Sequence, residues 1–380
     1  MEQVFTNAVV VLPHELVHGH VVVRDGRIAE VGEGDARGES LDGDYLIPGL
    51  VELHTDHLEN HYGPRPGVRW NVMSAIQSHD AQIAASGITT VFDCLRIGSD
   101  EGMGVDDFQP GEMRMMADAL EEAKGEGRLR VDHLIHLRCE VSAGNAAEQF
   151  DAFRDVDAVR LVSLMDHAPG QRQFQTMEQY TLYYKTKRGL SDEAFRRFCE
   201  ARVAQSKRHS DPNRRHIAAF ARERGVAVAS HDDATLAHVE DARRDGVVLA
   251  EFPTSVEAAR ASREAGMSVL MGAPNVVRGG SHSGNIAAGD LAEAGLLDVL
   301  SSDYVPLSLV HAPFALTARH GVALPDALAM VTDGPARTVG LEDRGRIEAG
   351  RRADLVRLRH EDGDDVPVVR AVWRGGERVA

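Results

Sequence analysis

The chain has 380 residues, enough for one large barrel with an appendage or for two domains. Hydrophobic residues make up 43% and charged residues 27%, the balance of a globular protein rather than a disordered or membrane-embedded one. A formal net charge of -17 argues against a nucleic-acid or anionic-membrane partner, although a local cluster of cations can still receive a small anion.

Residues 1–49 alternate apolar and polar as strands do. NAVVVL is followed by HGHVVVRDGRIAEVG, with Asp25-Gly26 as a tight hairpin turn. The opening MEQVFTNAVVVLPHE has no basic segment and too short an apolar run for a secretion signal. The middle alternates apolar, β-rich runs with helical patterns: LVELHTD, GITTVFDC, VDHLIHLRCEV, AVRLVSLMDH, VAVASHDD, VVLAEFPT, SVLMGAPN and DVLSSDY. Such an alternation predicts an α/β fold, a (β/α)8 barrel, and near-continuous apolarity fits strands buried on both faces. Helices are expected in VDDFQPGEMRMMADALEEAKGEGR, in SDEAFRRFCEARVAQSKRHSDPNRRHIAAFARERG and in TSVEAARASREAG, where Thr254 and Ser255 are candidate caps and Glu257 falls in the first turn. Residues 345–380 return to strand patterns, GRIEAGRRADLVRL and VPVVRAVWRGGERV. The two ends, 1–49 and 345–380, therefore predict one small β-sandwich built from both termini, around a larger barrel domain over 50–344. Cys94, Cys139 and Cys199 form neither a paired framework nor a CxxC, which suits reduced thiols in a cytoplasmic protein. No run approaches the roughly 18 apolar residues a membrane span needs.

Six of the eight runs end in ionisable residues: His54 and Asp56, Asp93, Glu140, Asp166 and His167, His231 to Asp233, and Asp303. The C-terminal strand ends of such a barrel form one face, where active sites sit. Strand alternation would point His54 and Asp56 one way and Thr55 and His57 the other. Glu140, His167, His231 and Asp303 can converge on the same spot from other strands. Three histidines with three carboxylates make a site for two divalent ions. Asp166, Asp232 and Asp233 stay open between orienting the histidines and lying on the rim. Asp93 reads as structural, Glu59 and His61 as contacts behind the ligands or with substrate, and His57 as outward-facing.

Cations follow the same strands. Arg65 and Arg69 lie after the first run; Arg172, Lys185, Lys187 and Arg188 after the fourth; Arg278, His282 and Ser283 after the seventh. Arginine forks and glycine-rich backbone suit phosphate oxygens, and RGGSHSGN is the most specific of these stretches.

PGLVELHTD, VTDGPART and GRIEAGRRADLV resemble the amidohydrolase superfamily, across nearly the whole chain. More narrowly, ELHTDHLENH with RPGVRW, SHDAQIAASGITTVFD, MDHAPGQRQF and RGGSHSGN resembles the PhnM-like branch that serves alkylphosphonate utilisation. The resemblance implies a distorted (β/α)8 TIM barrel plus a small β-sandwich. It implies a diphosphatase that hydrolyses α-D-ribose 1-methylphosphonate 5-triphosphate to the 5-phosphate and diphosphate in the carbon–phosphorus lyase pathway. It carries over to His54, Asp56, Glu140, His167, His231 and Asp303 as ligands of two divalent ions, zinc first with manganese or iron as alternatives, and to Asp303 also as general base. The superfamily has the bridging group and the two later histidines on strands four to six, where the count here is three to five. The branch often reads HTDNLE, with asparagine at the place of His57. The partner expected is a small phosphorylated substrate, with no nucleic acid and no membrane; a homo-oligomer is left open. Two other readings stand beside this one: hydrolysis or deamination of a C–N bond on the same fold, and a non-catalytic scaffold subunit of a phosphonate-degrading assembly.

Overall fold

The computed structural model describes residues 2–98, 108–109, 111–169, 191–281, 285–361 and 366–380. Eight parallel strands run in chain order around a barrel: Leu50–Thr55, Ile88–Ile97, Asp132–Glu140, Val159–Met165, Ala227–His231, Leu249–Glu251, Ser268–Gly272 and Val299–Ser301. These barrel strands, one to eight, are the eight runs expected from the sequence. They are apolar because helices cover them outside and side chains fill them inside. Strand one has no exposed position. Leu53, Phe92, Leu161, Leu249, Leu270 and Val299 belong to one buried cluster that draws on strands around the whole barrel.

The barrel closes unevenly. Strands one and eight meet at their C-terminal ends, where Asp303 N–H donates to His54 O and Asp56 N–H to Asp303 O, both at 3.1 Å. Toward the opposite end, another piece of chain stands between them: Leu300 N–H donates to Met330 O (2.8 Å) and Val51 N–H to Val331 O (2.9 Å). The buried Glu52 carboxylate ties the seam on the mouth side, accepting from His54 N–H at 2.6 Å and Ser302 N–H at 2.5 Å.

Both chain ends supply the second sheet. Strands Glu2–Val11, Leu16–Arg24, Arg27–Glu33, Glu39–Ser40 and Tyr45–Pro48 join Leu355–Arg359, Val368–Arg374 and Glu377–Arg378 in one hydrogen-bonded array. Val356 lies opposite Ile47. Asp25 (φ 49°) and Gly26 (φ 78°) both adopt the left-handed conformation that a two-residue hairpin turn requires. Register shifts at Phe5/Ala8 and Val22/Val23 interrupt regular pairing, the kind of irregularity that bends a sheet. Phe5, Val21, Ile28, Leu355 and Trp373 form the core on one side. Val11, Ile47, Val356 and Val372 pack with barrel-side residues Ile83, Leu309 and Phe314. Gly49 joins the two units, and a Cβ there would come within 2.2 Å of Thr89 Oγ1.

The expected helices form. Ser255 caps Val256–Glu264, its Oγ accepting from Ala258 N–H at 3.1 Å. Asp192–Arg224 runs 33 residues through Pro212. Among the described residues, no helix is long and apolar enough to cross a membrane.

Candidate metal centre

The mouth is organised around a residue that the sequence reading did not single out. Glu251, at the end of strand six, is fully buried. Nδ1–H of His54 donates to its Oε1 and Nδ1–H of His231 to its Oε2, each at 3.1 Å. One carboxylate thus fixes two imidazoles through the same nitrogen, which leaves each Nε2 a lone pair. The two rings stack at 5.6 Å, with Phe252 edge-on to both. Burial pushes both histidines down to about 3, so both are neutral, the form that ligates a metal.

A second group lies beside the first. Glu140, at the end of strand three, accepts from His167 Nδ1–H at 2.7 Å and His167 N–H at 3.2 Å, and Ser142 Oγ–H also donates to it. Asp232 Oδ2 sits 3.4 Å from His231 Nε2 and 3.6 Å from His167 Nε2. That oxygen is buried without a hydrogen bond. Burial works against a charged His167, but Glu140 and Asp232 outweigh it and raise the group to about 10. In each of two sets, His54/His231/Glu251 and His167/His231/Asp232, one ligand atom per residue lies within 4.8 Å of the others. A buried carboxylate oxygen without a hydrogen bond, between imidazoles that share further carboxylates, suits a divalent cation, so the donor set fits a metal.

Asp56 requires a correction. Strand one ends at Thr55, and Asp56 (φ −86°, ψ 12°) already caps the helix His57–Tyr62, α1, so strand alternation does not aim its side chain. Its two oxygens instead meet Arg138 Nη1 at 2.6 and 2.5 Å. The partly buried Arg138, from strand three, holds Asp56 well below the usual carboxylate range although burial opposes this. Asp303 responds oppositely: burial, then the negative charge of Asp56, push its carboxyl up to about 7. Asp232, Phe252 and Asp303 have φ of 58°, 51° and 53°, a conformation that L residues rarely adopt, just past the ends of strands five, six and eight. Strain gathered in this way is typical of functional sites.

A cavity of about 180 Å³ opens over these groups, lined by His54, Arg138, His231, Asp232, Arg278 and Asp303 among others. Arg278 is the one cation of the loop candidates that the described residues bring to this lining. Arg65 lies in an exposed turn paired with Val68. Arg69 donates to Glu112 at 3.0 Å and lies 4.6 Å from the Phe108 ring. Arg172, Lys185, Lys187, Arg188, His282 and Ser283 lie outside the described residues. Asp166 accepts from Ser206 and Ser210 at 2.7 and 2.6 Å and so anchors the long helix. Asp93 accepts from His79 and His133, both at 2.7 Å. Glu140, His167 and His231 stand at strands three, four and five, as counted from the sequence. Glu251 left a faint signal as the single charge of the run VVLAEFPT, whereas Arg138 shares its run with Asp132 and Glu140 and left none.

A match to the amidohydrolase family covers residues 60–380. The α-D-ribose 1-methylphosphonate 5-triphosphate diphosphatase of Escherichia coli (strain K12) is 47% identical over 381 residues, spanning 99% of this chain and 100% of that protein. The imidazolonepropionase of Thermoplasma acidophilum is 23% identical over 91% of this chain and 84% of its own. Among solved structures, N-acetylglucosamine-6-phosphate deacetylase from Pasteurella multocida aligns with a TM-score of 0.65 at 15% identity, over 100% of this chain and 99% of that one. A Xaa-Pro dipeptidase aligns at 0.66 and 15%, over 100% and 99%. These two share the fold. The chain belongs to the amidohydrolase family and is a full-length relative of the E. coli diphosphatase.

Proposed function

We propose that this chain is a metal-dependent diphosphatase that cleaves α-D-ribose 1-methylphosphonate 5-triphosphate to the 5-phosphate and diphosphate. The full-length, 47% identity to the E. coli enzyme carries the reading, and the carboxylate-anchored histidines at the barrel mouth support it. His54, Glu140, His167, His231 and Asp303 would hold two divalent ions, zinc first with manganese or iron as alternatives, and Asp56 would join them by turning an oxygen away from Arg138. When bound, such ions polarise a phosphoryl oxygen and make a water more acidic. Asp303, poised near 7 before metal arrives, takes the proton from the attacking water. Glu251 keeps His54 and His231 in register throughout. Arg278, on the cavity wall, faces the phosphate chain and offsets charge on the departing diphosphate. The reaction belongs in the cytoplasm, and residues 50–344 form the catalytic unit, with 1–49 and 345–380 as its β-appendage.

Phosphorus NMR of the metal-loaded protein with the ribosyl triphosphate tests this. Stoichiometric diphosphate is expected. Orthophosphate alone would refute the cleavage site, release of ammonia from an anionic amide or amine would favour C–N hydrolysis, and a protein that takes up no metal and turns over nothing would favour a scaffold.

A further inference from the structure

The stretch after strand one carries histidines that the barrel centre does not use. His57 and His61 lie one turn apart on α1, so they share a face. Helix α2, Val72–Ala85, brings His79 against them. Ring centroids are 4.9 Å apart for His57 and His61, and 5.8 Å from each of these to His79. One nitrogen from each of the three lies within 4.8 Å of the others. His57 Nδ1, His61 Nε2 and His79 Nδ1 are all buried without a hydrogen-bond partner. Burying three such atoms in one place is costly unless something receives them.

The tautomer of His79 says what that something is. His79 is fully buried and donates from Nε2–H to Asp93 at 2.7 Å, so its Nδ1 presents a lone pair to the other two imidazoles. Asp93 is itself held by His133 at 2.7 Å, and His133 lies 3.4 Å from Asp80. A carboxylate behind an imidazole is the usual support of a metal-bound histidine.

We propose that His57, His61 and His79 form a divalent transition-metal site, separate from the barrel mouth, that ties α1 to α2. Three imidazoles select zinc, cobalt, nickel or copper over magnesium, calcium or manganese. Tetrahedral zinc at about 2.0–2.1 Å from each nitrogen draws the three atoms to about 3.3 Å from one another, a contraction that two short helix faces can supply. The ion's role is structural. Asp56 caps α1 directly after strand one, so a clamp here steadies the chain where it leaves that strand.

Crystals of the full chain grown with zinc, measured at the zinc absorption edge, read the site directly. An anomalous peak about 2.0–2.1 Å from nitrogens of all three histidines is expected. In solution, the double variant His57→Asn/His61→Asn should retain one zinc per chain fewer than the wild type after dialysis. A peak at the barrel mouth alone, or equal zinc content in the two proteins, overturns the inference. A peak at the helices with none in the barrel upholds it and counts against the metal centre of the proposed function.

Discussion

Glu251 sets the behaviour of two ligands at once, so its substitution tests the centre more sharply than loss of either histidine. Glu251→Gln keeps the shape but donates at one atom, forcing one imidazole to the wrong tautomer. Metal affinity should fall 10–100-fold, measured by competition with a chromogenic chelator. Asp303→Asn should lower turnover about 10²–10⁴-fold while metal content stays near that of the wild type. Its loss together with the metal would make Asp303 chiefly a ligand. His167 adds a proton count. It is held charged up to about 10 between Glu140 and Asp232, so metal uptake at pH 8 must expel a proton from it. Unbuffered titration should show close to one proton released through His167, and Glu140→Gln should reduce that fraction. These roles were unevenly legible. His54 and His231 stood out because a polar, ionisable residue at the end of an apolar strand is costly without a task. Asp56 was legible as a residue but not in its aim, because nothing local marks that the strand stops one residue earlier. Glu251 was hidden, being a single acid in a strand of three residues whose burial only the closed barrel reveals.

At the scale of elements, the eight strands were legible because a parallel strand covered on both faces has little choice but to be apolar. The contact between α1 and α2 was not, since the His57/His61 spacing is local whereas His79 arrives only through packing. Behind that contact lies a pH-sensitive joint between helix and sheet. Burial disfavours a charged His133, but Asp93 and Asp80 overcome this and raise it to about 9. A raised histidine stabilises the fold fully below its unfolded value of about 6.5, and the contribution disappears as pH climbs through the folded value. Urea melts should therefore show stability falling between pH 6.5 and 9.5, with a flatter profile in His133→Asn. At the hinge between sheet and barrel, Gly49→Ala drives a methyl into Thr89 and should cost about 1–3 kcal/mol in the same assay.

For the whole molecule, the composite sheet is the constraint. Removing residues 355–380 takes away the strand opposite Tyr45–Pro48 and uncovers Ile47. A chain ending at Asp354 should be recovered as aggregate, judged by size exclusion after expression, because the exposed edge and its apolar row become templates for pairing. Both ends of the molecule were readable from alternation and turn chemistry; their union was suggested by similarity of pattern, and it is the pairing of Ile47 with Val356 that realises it. That pairing also has a history in time. On a ribosome adding about 5–20 residues per second, the strand at Tyr45–Pro48 waits on the order of tens of seconds for its neighbour at Leu355–Arg359 to be made. The first strands synthesised are thus among the last to be completed, and the nascent protein must be shielded by chaperones, or stay loosely collapsed, until its final residues emerge.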